Sequence, residues 1–178
     1  GERIPRSVAW VRLLMPAGFS ALVLIPYFVP AVPVVYSAST DAPRAGSANI
    51  LEDGASIAET ITLPSTVEAS SLNIAFLAEE VQWLDSSVVS VEVTDASGAR
   101  VFRTEAPANS LHDGLHSFPA DGLVLRGGEK YTVTITSRMT EGGYARVMIN
   151  PAVDQFPTTE NGTTVHGDLL MTIAGRTK

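Results

Sequence analysis

The chain has 178 residues, of which 45% are hydrophobic and 17% charged, with a formal net charge of -7 and no cysteine. That length fits one ordinary domain plus extra segments. Without cysteine there are no disulfides, thiolate metal sites or thiol nucleophiles, and an acidic body without a basic stripe leaves nucleic acid outside the expected partners.

The first informative element in chain order is the stretch 13–36, "LLMPAGFSALVLIPYFVPAVPVVY", which contains four prolines and no charged residue. It exceeds the roughly 7–15 apolar residues of a signal-peptide core and reaches the roughly 20 residues needed to cross a bilayer core. It therefore predicts a membrane-spanning segment over 13–36. Pro5 and Ser7 suit a helix start, Trp10 the headgroup level, Pro16 and Pro26 a bend, and Pro30 and Pro33 its end.

Arg3, Arg6 and Arg12 precede the span, whereas the chain after it carries eighteen of the nineteen acidic residues. The positive-inside rule then expects residues 1–12 in the cytoplasm. Residues 37–49, small and polar, read as a linker, and 50–178 as a domain on the outer face of a bacterial inner or intracytoplasmic membrane. The span has no His, Asp, Glu or Lys, so it offers no evident ligand for a pigment and no proton path, and no cofactor is expected. Ala17, Gly18 and Ala21, with Ser20, form a small-residue set suited to packing against a neighbouring membrane helix.

Beyond residue 50 the pattern is alternation. Runs at 56–64, 71–78, 87–95, 99–106, 121–127, 130–138, 144–150 and 168–175 are strand-like and rich in β-branched residues. Turn residues separate them, notably Asp95-Ala96-Ser97-Gly98, which predicts a hairpin. The fold class expected is mainly β: one N-terminal transmembrane helix followed by an antiparallel β-sandwich, jelly-roll or immunoglobulin-like.

Candidate chemistry is sparse. His112, Asp113 and His116 cluster, with His166 and Asp168 as conceivable further metal ligands, but the spacing reads more simply as loop histidines. Glu79, Glu80 and Asp85 are poorly placed for a glycosidic pair, and no Gly-x-Ser-x-Gly elbow exposes a nucleophile. Asp113, Asp121 and Glu129 are too few to assert calcium. Trp83 and Leu84, within an acidic segment, read either as an aromatic anchor or as a cap on the core. Phe156 sits in a long polar stretch, 151–167, of the kind that carries contacts in compact domains.

The segment 88–137 resembles jelly-roll modules attached to bacterial envelope proteins, including some membrane glycosyltransferases. Asp95, Gly98, Asp113, Phe118, Gly128 and Tyr131 carry the likeness, and Leu115 stands where an aromatic residue is usual. What this resemblance implies is a fold and no activity. The layout of one span and an outer sandwich also resembles periplasmic accessory subunits of photosynthetic reaction-centre–light-harvesting complexes.

Two functions are consistent with these features. One is a non-enzymatic accessory subunit whose partners are the bilayer and the subunits of an integral membrane complex. The other is a membrane-tethered module for envelope carbohydrate, which the scarcity of aromatic residues disfavours. The expected partner contacts are Ala17, Gly18, Ala21, Trp83, Leu84 and Phe156.

Overall fold

The structure, a computed structural model, describes residues 34–37, 47–77, 86–139 and 145–178. The chain divides into two compact units, Gly1–Ala31 and Val32–Lys178. All described residues belong to the second unit.

Fourteen strands are described: β1 (Val34–Ser37), β2 (Ser47–Leu51), β3 (Ser56–Thr62), β4 (Val67–Leu77), β5 (Val88–Asp95), β6 (Arg100–Pro107), β7 (Gly114–Pro119), β8 (Val124–Leu125), β9 (Lys130–Arg138), β10 (Ala145–Asn150), β11 (Thr158–Glu160), β12 (Thr163–Val165), β13 (Asp168–Leu169) and β14 (Met171–Thr177). A 3-10 turn, Ala108–Ser110, separates β6 from β7.

The strands form two antiparallel sheets. The first contains eight strands in the order β1-β14-β4-β10-β13, with β7 and β8 also paired to β4, and β2 to β10. The second runs β12-β11-β3-β9-β5-β6. Alternation in the sequence dictates which side of each strand is buried. In β5, Val89, Val91 and Val93 are fully buried, as are Ile57 and Ile61 of β3 and Val133 and Ile135 of β9. They share one hydrophobic core with Leu72, Ile74 and Phe76 of β4, Val147 and Ile149 of β10, and Met171 and Ile173 of β14. Each large apolar side chain enclosed between the sheets contributes about 1.5–3 kcal/mol, and this shared core makes the unit a sandwich.

The long strand β4 organises the first sheet. Its partner changes near Leu170, whose N–H donates to the Met148 carbonyl while its carbonyl accepts the Ala75 N–H, both near 3.0 Å. Leu170 thereby divides the expected run 168–175 into β13 and β14. A bulge follows at Ala174/Gly175, where a Cβ on Gly175 would collide with the Glu68 backbone. Only glycine lets the two strands approach so closely.

The β5–β6 hairpin forms as its turn residues predict. Asp95 Oδ1 accepts the N–H groups of Ser97 (2.8 Å) and Ala99 (3.0 Å) and the Ser97 hydroxyl (2.6 Å). The Ser97 hydroxyl, followed by these backbone donors, holds the Asp95 carboxyl below its ordinary pKa. Gly98 supplies the positive φ of 81°. On the edge strand β6, Arg100 pairs with Glu92 at 3.3 Å and Arg103 with Glu105. Such charges discourage edge-to-edge pairing with another sheet.

Several elements differ from the sequence expectation. Val34 and Tyr36, assigned to the end of the span, pair as part of β1 with β14, and Ser47, Ala48 and Asn49, assigned to the linker, pair as β2 with β10. Backbone ladder bonds recruit both short segments to the sheet. The remainder of the expected span, 13–33, and the expected cytoplasmic segment, 1–12, lie outside the described residues. Among the described residues no helix is long and apolar enough to cross a membrane.

Candidate binding surface at the 151–167 end

The stretch from Pro151 to Gly167, expected to be a loop, contains the β11–β12 hairpin, which extends the second sheet from β3. Its turn is Asn161-Gly162, with φ of 49° and 78°, the Asn-Gly pair that two-residue hairpins favour. Asn161 also locks the hairpin to β3: its Oδ1 accepts the Ser56 N–H and its N–H donates to the Ser56 carbonyl, both 2.8 Å.

Three carboxylates hold the rest of this end. Asp168, fully buried, accepts the Gln155 N–H on both oxygens (3.0 and 3.1 Å) and the Phe156 N–H on Oδ1 (3.1 Å). Glu59, also fully buried, lies between Ile57 and Ile61 on the inward face of β3. Its Oε2 accepts the Leu169 N–H and the Thr158 hydroxyl, so it ties one sheet to the other. Asp154, exposed, accepts the Gly167 N–H at 3.2 Å and pairs with His166 Nδ1 at 2.8 Å. Gly167 adopts φ 109°, and a Cβ there would lie 2.7 Å from Ile149 Cγ2. The return into β13 therefore requires glycine.

These anchors shape an open concavity of about 490 Å³, lined by residues that include Asp154, Phe156, Pro157, Thr164, Val165 and His166. Phe156 is half-buried and, with Val165, packs against the main core. The concavity thus has an apolar floor fixed from beneath and a polar rim of Asp154, Thr164 and His166. Its volume falls within the range of small-ligand pockets, about 300–1,000 Å³. The chain matches no family model and no curated protein.

Of the expected contact residues, Phe156 is at this surface. Trp83, Leu84, Ala17, Gly18 and Ala21 lie outside the described residues, as do Glu79, Glu80 and Asp85. His112 is an exposed loop residue, but His116 belongs to β7, so the reading of both as loop histidines is corrected. The alternation that buries Phe118 also turns His116 inward, and β4 supplies the paired backbone. Among the described residues no group of three or more His, Asp or Glu side chains is arranged to hold a metal ion.

The residues behind the resemblance to jelly-roll modules act here as folding devices. Gly128, at φ 77°, donates its N–H to the Leu63 carbonyl. The Tyr131 hydroxyl donates to Glu129 Oε2 at 2.9 Å and accepts the Arg126 N–H at 3.0 Å, closing the turn into β9. Burial is the main reason the Tyr131 phenol is held above its ordinary pKa.

Sequence reasoning missed Glu59 and Asp168 as anchors. The available signal was phase: Glu59 occupies the apolar row Ile57–Ile61, and a carboxylate in such a row demands enclosed donors. Asn161-Gly162 between two Thr-rich triplets was the corresponding hairpin signal.

Proposed function

We propose that this chain is a non-catalytic accessory subunit, anchored in a bacterial membrane by the apolar segment 13–33 and presenting its sandwich on the outer side to a larger integral membrane complex. The proposed partner class is a photosynthetic reaction-centre–light-harvesting assembly. The observation that carries the docking role is the 151–167 end, where the buried Asp168 carboxylate holds the backbone at Gln155 and Phe156 and the Asp154–His166 pair stands at the exposed rim. Preorganisation of this kind lowers the ordering cost of association.

Asp154 engages the His166 ring at the rim of this surface. The test is Thr164→Arg, a change on the exposed rim. Loss of co-purification with membrane partners at unchanged thermal stability is expected, and undiminished co-purification would remove this end from the docking surface.

A further inference from the structure

Among the described residues β7 pairs with β4 alone, in the register Leu72↔Phe118, Ile74↔His116 and Phe76↔Gly114. His116 and Phe118 share its inward face. The His116 ring stands edge-on to Phe118, with centroids 4.9 Å apart at 67°, and to Phe76 at 6.4 Å and 83°. The His112 ring is 5.6 Å away. His116 Nδ1 is buried with no hydrogen-bond partner among the described residues.

Among the described residues the elements around this slot supply no compensating anion. β4 presents Leu72, Ile74 and Phe76 to the core. β6, which approaches β7 from the other sheet, has Phe102, Thr104 and Ala106 in register with the inward Val93, Val91 and Val89. Its charged residues Arg103 and Glu105 pair with each other on the opposite face. The titratable neighbours on the adjoining loop are His112 and Asp113, both exposed.

We propose that His116 is an acid-sensitive latch on β7: protonation places a cation and an additional N–H donor in an aromatic slot where no acceptor meets Nδ1, and thereby releases β7 from β4. Opening uncovers Phe118 and Phe76, creating an aromatic surface that exists only in acid.

Burial first, and the neighbouring His112 second, hold the His116 imidazole below its ordinary value of 6.5. The closed state therefore binds fewer protons than the open one. Closure is fully favoured above about pH 6.5 and weakens as pH falls toward and through the lowered pKa.

The test is amide hydrogen exchange on the whole chain at about pH 7.5 and about pH 5.5, corrected for intrinsic exchange rates. Loss of protection at 114–119 in acid, with β3 and β9 still protected, is expected. His116→Phe should abolish that loss, and His112→Ala should diminish it by removing the neighbouring imidazole that disfavours the charged form of His116. Unchanged protection of 114–119 in the wild-type protein, or the same loss in His116→Phe, would overturn the proposal. Simultaneous loss across β3 and β9 would also overturn it, as general acid unfolding. Should His116→Phe fail to fold, the wild-type profile decides alone.

Discussion

Replacing Asp168 with Asn tests how the candidate surface is held. The carboxylate is fully buried and accepts hydrogen bonds from the backbone N–H groups of Gln155 and Phe156. Asparagine keeps one acceptor oxygen but turns an NH₂ toward one of those donors. A hydrogen bond to a charged group contributes about 1.5–3 kcal/mol, and a buried donor left unmet costs about 1–3 kcal/mol. With the two bonds on Oδ1 weakened and the one on Oδ2 replaced by opposed donors, a loss of about 2–4 kcal/mol follows. For a folded unit of this size that lowers Tm by about 5–15 °C. Urea unfolding followed by circular dichroism measures it, with the midpoint falling at an unchanged slope. A loss below about 0.5 kcal/mol, the scale of an ordinary surface substitution, would refute the claim that Asp168 is the base of the 151–167 end.

Gly167→Ala forces a Cβ to 2.7 Å from Ile149 Cγ2 at φ 109°, whereas Gly162→Ala, at φ 78°, meets nothing within 4 Å. The first should cost more than about 2 kcal/mol and the second only about 1 kcal/mol, the left-handed strain alone, as chemical denaturation will show. Tyr131→Phe removes the hydroxyl that bridges Glu129 and the Arg126 N–H and should cost about 1 kcal/mol in the same measurement. Ala96→Cys introduces a lone thiol at the exposed β5–β6 turn of a cysteine-free chain. In intact cells stripped of the outer membrane, a membrane-impermeant maleimide should label it, and labelling only after lysis would place the sandwich on the cytoplasmic side.

The strands of the sandwich core were legible because one face of each is enclosed. Val89, Val91 and Val93, or Tyr131, Val133 and Ile135, write a period of two that only a half-buried strand explains. The shorter partners β1, β2, β11 and β12 carry too few residues to establish a period; partners distant in sequence define β1, β2 and β11, while β12 pairs with the neighbouring β11. Thus β2 exists because β10 accepts it almost a hundred residues later. β7 was obscured by Gly114 and by a histidine in its inward row.

The candidate site was legible only through Phe156. Its anchors, Glu59 and Asp168, are recognisable once the sheets meet, because Glu59 reaches Leu169 from the opposite sheet and Asp168 reaches back to residue 155. Composition treats both as ordinary acidic residues.

The central claim is membership in a larger membrane complex, and mild-detergent extraction from the native membrane, followed by size separation with absorption spectra and protein identification, tests it most directly. Co-migration of the chain with a large, pigmented assembly is expected. Migration alone near its own mass of 18.8 kDa, with retention on an envelope-glycan column, would contradict it.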